Sequence, residues 1–181
     1  MPSLPLYNGI MATTPGRQGW LTYGSVGGAL ETQASGAVSL RTNAGAAGYS
    51  NHQSLQPKLV NSSFPSLNRN NSYRLSVQLS LNNENHSNNN RAGLSLTVIS
   101  QDLKGIELGF WADRIWAQRG GVVSTLFTQN PSETVQFSTR ALVNYDLLVV
   151  NNSYYLSANN RLILQGNLQD YTAFSNNALP Y

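Results

Sequence analysis

Apolar and polar residues alternate with a period of two through much of the chain. The longest patterned stretch is residues 91–118, RAGLSLTVISQDLKGIELGFWADRIWAQ. It predicts two antiparallel strands joined at residues 100–105. In the first arm Leu94, Leu96 and Val98 alternate with Ser95 and Thr97. In the second, Ile106, Leu108 and Phe110 alternate with Glu107, Gly109 and Trp111. A period of two sends alternate side chains to opposite faces of a sheet. One face is therefore a core face. The other carries Arg91, Ser95, Thr97, Glu107 and Trp111, with Asp113 beyond them, and is the polar-aromatic surface to which a function is first assigned.

Other segments repeat the pattern. Residues 73–81 (YRLSVQLSL) alternate cleanly, with Leu75, Val77, Leu79 and Leu81 on one side and Arg74, Ser76, Gln78 and Ser80 on the other. Residues 144–150, 154–157 and 161–165 read as a meander whose turns fall at Asn151-Asn152 and residues 158–160, where Asn tolerates the left-handed conformation. Residues 122–128 and 134–139 read as two more strands around a turn at 129–132. Nearer the start, residues 20–23, 38–41 and 58–60 are short strand candidates, and the Gly- and Ala-rich residues 43–49 read as a loop. Residues 82–90 (NNENHSNNN) read as an exposed, mobile polar loop. No helical period of ten or more residues is found. Many short strands separated by turn residues predict an all-β fold, a two-sheet antiparallel β-sandwich, because one sheet cannot cover this many apolar faces.

Length and composition narrow this reading. The 181 residues suit a single sandwich domain over 1–181, with an irregular, Pro-bearing lead-in at 1–19. Charged residues are only 10% of the chain, and Asn, Ser, Thr and Gln supply most of the polarity, which suits a surface that hydrogen-bonds a neutral, hydroxyl-rich ligand. The net charge of +3 comes from scattered Lys and Arg rather than a basic stripe, so nucleic acid is not an expected partner. The absence of cysteine excludes disulfides, a thiol nucleophile and a Cys-ligated zinc. No signal peptide and no membrane span is legible. A removed leader would make the chain an extracellular or periplasmic protein; otherwise it is expected in the cytoplasm. The end at ALPY carries no capping logic, as in a chain that continues in nature.

The run YRLSVQLSL, RAGLSLTVIS, DLKG, IELGFW and NYDLLVVNNSYYLSANNRLILQG resembles the concanavalin A-like jelly roll of lectins, laminin-G-like modules and glucanases, over about half the chain. It is also similar to sandwich domains of bacterial surface proteins. The resemblance implies a jelly roll and a carbohydrate ligand. Glucanases of this fold place acids at alternate positions of one inner strand, a pattern this chain departs from. Glu107 and Asp113 lie six apart in sequence, about 20 Å if the strand is continuous, whereas glycosidase carboxylates sit about 5–9.5 Å apart. Glu107 would need Asp146 or Glu133 as its partner.

Three readings follow. The first is a non-catalytic module holding a neutral glycan, with Arg91, Ser95, Thr97, Glu107 and Asp113 hydrogen-bonding and Trp111 and Trp116 stacking on sugar rings. The second is an enzyme in the same groove with Glu107 as acid or base, cleaving a glycan or cyclising an apolar substrate. The third is a structural surface domain that binds protein or forms a homo-oligomer through a strand edge. His52 and His86 lack metal-ligand spacing. Calcium is the candidate cation, held by loop carbonyls and Asn or Asp side chains, although no D-x-D-x-D-G run is present.

Overall fold

The computed structural model describes residues 3–24, 30–34, 36–42, 47–53, 59–60, 64–86 and 93–174. Among them the chain is all-β, with fifteen strands and three short 3-10 turns. No helix there is long and apolar enough to cross a membrane. The chain divides into two compact units, one of residues up to Pro65 and one of Ser66–Ser175.

The first unit holds strands β1 (Leu21–Gly24), β2 (Leu30–Ala34), β3 (Ala37–Arg41), β4 (Ala47–Ser50), β5 (His52–Gln53) and β6 (Leu59–Val60). They pair antiparallel as β1 with β4, β2 with β3 and β5 with β6. The stretch expected as a loop at 43–49 thus supplies β4, where Tyr49 pairs with Thr22. The lead-in is tied down rather than loose. Gln18 Oε1 accepts the Asn8 N–H at 2.8 Å. Trp20 Nε1 donates to the Leu6 carbonyl at 2.8 Å, and its ring meets Phe64 edge-on at 4.7 Å.

The second unit is the sandwich. It comprises β7 (Tyr73–Leu79), β8 (Leu94–Ile99), β9 (Lys104–Phe110), β10 (Arg114–Gln118), β11 (Gln129–Gln136), β12 (Val143–Val150), β13 (Ser153–Ala158), β14 (Arg161–Asn167) and β15 (Gln169–Asp170). One sheet has the order β14-β13-β12-β7. In the other, β8 pairs with β9 along Leu94–Ile99. The opposite edge of β9 is shared by β10, which continues to β11, and by β15. The arrangement is antiparallel and consistent with a jelly-roll-like sandwich. Between the sheets Ile106, Leu108, Phe110, Ile115 and Ala117 meet Val143, Tyr145, Leu147, Val149, Tyr154 and Leu156. The expected Asn turns are present: Asn151, Asn159 and Asn160 all have positive φ and close the β12–β13–β14 meander.

Three expectations are corrected. The stretch 91–118 makes three strands, not two, because the chain reverses at residues 111–113, where Trp111 N–H bonds to the Arg114 carbonyl at 2.9 Å. Residues 122–128 are irregular, apart from an isolated bridge at Val122, and the next strand begins at Gln129. Its Pro131 is tolerated because β11 ends the path of its sheet.

β9 is buried on both faces. Its inner face packs into the sandwich. Across its outer face lies Trp116, admitted because Gly109 has no side chain: a Cβ there would sit 2.1 Å from the indole. Replacing Gly109 with Ala should therefore cost roughly 3 kcal/mol, at the upper end of overpacking penalties. In Gly120→Ala the nearest atom would be 3.6 Å away, and that variant should stay within about 1 kcal/mol of wild type. Urea denaturation of the three proteins checks both.

Candidate functional site

The face expected to be open is closed by the chain itself. Glu107 lies on the outer face of β9, opposite Thr97 on β8. Its side chain has no solvent exposure. Ser95 Oγ donates to Glu107 Oε1 at 2.6 Å, and the Phe127 N–H donates to Oε2 at 3.0 Å. Phe127 belongs to the segment 119–128, which leaves β10 and returns to β11 as a compact loop. Arg119 N–H bonds to the Thr128 carbonyl at 2.6 Å across its neck. Val123 and Leu126 are buried beneath it. Its far side is moored to β15: Val123 N–H donates to the Asp170 carbonyl at 2.7 Å, and Gly121 N–H to Gln169 Oε1 at 2.8 Å. Such self-packed loops with adjoining ends are Ω-like. Beneath the neck, buried Gln118 holds the loop through its amide, which contacts Thr128 Oγ1 and donates to the Thr125 carbonyl at 3.3 Å.

The tryptophans are covered too. Trp111 and Trp116 are buried and meet edge to face, with centroids 6.5 Å apart. His86 lies flat on Trp111, with ring centroids 4.0 Å apart and planes 9° apart. The Arg114 guanidinium is 5.1 Å from the Trp111 ring centre. His86 contacts Glu84, whose other oxygen accepts the Ala112 N–H at 3.1 Å. Glu84 is nearly wholly buried. The polar loop expected to be mobile is therefore anchored through residue 86, because one carboxylate caps the end of β9. The rest of it, with Arg91, lies outside the described residues. An indole held this way presents no open stacking face. A solvent-borne substrate does not reach Glu107 while the 119–128 cover is seated.

The other expected residues scatter. Asp113 is exposed at the reversal after β9, 3.6 Å from Arg114 Nε. Neither suggested carboxylate partner meets Glu107. Asp146 lies on the outer face of the other sheet, where it pairs with Ser76 and Ser157. Glu133 faces the sandwich interior. No cluster of three or more His, Asp or Glu that could hold a metal occurs among the described residues.

Two features escaped the sequence reading. The first is the pairing of Glu133 with Tyr154, whose hydroxyl donates to Glu133 Oε2 at 2.6 Å while Asn130 Nδ2 donates to Oε1 at 2.9 Å. Gly166 makes room for the carboxylate, since a Cβ there would lie 2.0 Å from Oε2. Burial, and then Glu133, push the Tyr154 hydroxyl well above its ordinary value. Burial alone raises Tyr145 to about 12.

The second is the outer face of the β14-β13-β12-β7 sheet. Successive cross-strand rows there are Gln78 and Asn144; Ser76, Asp146 and Ser157; and Arg74, Leu148, Tyr155 and Gln165. Ser76 Oγ donates to Asp146 Oδ1. A shallow depression of about 260 Å³ lies among Ser76, Gln78, Asn144, Asp146 and Asn160, floored by Val77 and Tyr145. Tyr155 is exposed beside it. The alternation of residues 73–81 already signalled half of this face. The rest required the register that sets β12 between β7 and β13.

Comparison with known proteins brings no identity: no family model, no curated protein and no solved structure matches the chain.

The buried tyrosines set an alkaline limit. Their folded values are raised, so their contribution to stability is complete below about pH 10, where unfolded tyrosine is still protonated. It is lost as pH climbs above that, because only the unfolded state ionises readily. Urea midpoints should fall between about pH 10 and pH 12. Tyr154→Phe should lose ~1–3 kcal/mol at neutral pH, since Glu133 loses a buried donor, and should show a shallower alkaline decline.

Proposed function

We propose that the chain is a non-catalytic carbohydrate-binding module, and that the neutral glycan lies on the outer face of the β14-β13-β12-β7 sheet rather than on the covered face of β9. The observation that carries this reading is the depression among Ser76, Gln78, Asn144, Asp146 and Asn160, with Tyr155 exposed beside it. Amides and hydroxyls donate and accept at once, as sugar hydroxyls do. A single carboxylate, oriented by Ser76, adds a stronger acceptor without building a charged surface. Asp146 and Tyr155 are diagonal neighbours across β12 and β13, about 7–8 Å apart. That spacing lets one sugar ring stack on the phenol while the next hydrogen-bonds the carboxylate. Kinship with concanavalin A-like modules belongs to the same proposal. Its support is the sandwich and the charge-poor, Asn-rich surface.

A thermal-shift and calorimetric screen of neutral oligosaccharides tests the reading, because a ligand bound only by the folded state raises its melting temperature. At least one neutral sugar should bind. Tyr155→Ala should weaken it roughly 3–10-fold, as expected for loss of one aromatic contact. Asp146→Ala should weaken it by a similar factor. Failure of every neutral sugar, or binding indifferent to both substitutions, overturns the assignment.

A further inference from the structure

Beneath the 119–128 loop a buried side-chain amide lies against a partly buried hydroxyl. Gln118 ends β10, and its side chain is sealed from solvent. Its amide Nε2 is in direct contact with the hydroxyl of Thr128, and Nε2 also donates to the Thr125 carbonyl at 3.3 Å. Its carbonyl oxygen accepts the Thr128 N–H at 3.3 Å. The amide is thus held in one orientation, with a hydroxyl oxygen against it and a backbone N–H on the oxygen that would become negative during attack. Glu107 is the adjoining carboxylate. Antiparallel pairing of Ala117 with Leu108 makes Gln118 and Glu107 the next pair in register. Glu107 Oε2 also takes the N–H of Phe127, the residue before Thr128.

We infer that Gln118 and Thr128 form an intramolecular ester, with Glu107 moving the proton. Thr128 Oγ1 attacks Gln118 Cδ, and its proton passes to the Glu107 carboxylate. The oxyanion on Oε1 is met by the Thr128 N–H. Collapse breaks the Cδ–Nε2 bond as Glu107 returns the proton to the departing nitrogen. The products are one ester bond and one ammonia, and Glu107 ends as the carboxylate it began as. No oxidant or cofactor enters the balance. Holding hydroxyl and amide together replaces a bimolecular encounter, ammonia is diluted into solvent, and burial keeps water from the ester. The bond would staple the neck of the cover, where Arg119 N–H already meets the Thr128 carbonyl.

Intact-mass measurement of the purified full chain tests this directly. The wild-type protein should be lighter than its sequence by one ammonia, about 17 Da, the leaving group of acyl transfer from the amide. After denaturation and trypsin, residues 115–119 should remain joined to residues 120–140 despite cleavage after Arg119, and hydroxylamine should separate them. Thr128→Ser should keep the loss and Thr128→Val should abolish it. A wild-type chain of full sequence mass overturns the inference without any variant having to fold. So does a loss of the same size that maps elsewhere, such as to a cyclised Asn. A cross-link that persists in a folded Glu107→Gln protein overturns the role given to Glu107.

Discussion

The structure of the second unit depends on one strand being covered on both sides. The inner face of β9 carries Ile106, Leu108 and Phe110, each without solvent exposure. At ~1.5–3 kcal/mol per large apolar side chain, such a row is a main source of cohesion between the sheets. The outer face carries Glu107, Gly109 and then Trp111. Closing that face requires a second layer, and the chain builds one from what is nearby. Trp116 reaches across Gly109, the 119–128 loop lies over Glu107, and His86 lies over Trp111. Covering Glu107 is tolerable because hydrogen bonds go with it. A buried carboxylate without donors would cost several kcal/mol, so Ser95 Oγ and the Phe127 N–H are conditions for the cover to seat at all.

The cover separates the two outer faces of the sandwich by role. On the β9 side, polar side chains are consumed by internal bonds: Gln118 by the loop neck, Glu84 by the Ala112 N–H, Glu107 by Ser95 and Phe127. On the β12 side, Gln78, Asn144, Tyr155 and Gln165 stand on a face where alternate positions remain exposed. The same kinds of side chain therefore do opposite things, according to whether a loop lies over them.

Period-two alternation was enough to read the hairpins, the inner faces and the Asn turns, because those follow from strand geometry and from residues that tolerate positive φ. It could not read the cover. Val122, Val123, Leu126 and Phe127 look like a strand because they are apolar, but burial under a loop asks for the same residue types as burial in a sheet. Pro131 and Asn130 looked like a turn, although a terminal strand accommodates both. Glu84 looked solvated within NNENHSNNN because nothing local shows that the Ala112 N–H waits for a carboxylate at the end of β9. Arg91, expected on the same face as Glu107, lies outside the described residues. The cover over this face was illegible for one physical reason: a polar-aromatic strand face has the same pattern whether it meets solvent or the protein's own loop.

That ambiguity also explains why so few charges suffice here. Acids in this unit are spent on positioning: Glu84 on a strand end, Glu133 on Tyr154, Asp102 on Arg69, Asp170 on Lys104. The Arg69 and Lys104 partners hold the carboxyls of Asp102 and Asp170 below the ordinary range, so both pairs keep their charge through mildly acid pH. Asp146 differs because the partner it meets across β7 is a neutral serine hydroxyl. A carboxylate oriented by a hydroxyl on an exposed sheet face keeps acceptor capacity for an incoming donor, whereas one neutralised by Arg or Lys has spent most of it. Among the described acids of the sandwich, it is this difference in partner, together with its exposed surroundings, that leaves Asp146 with spare acceptor capacity.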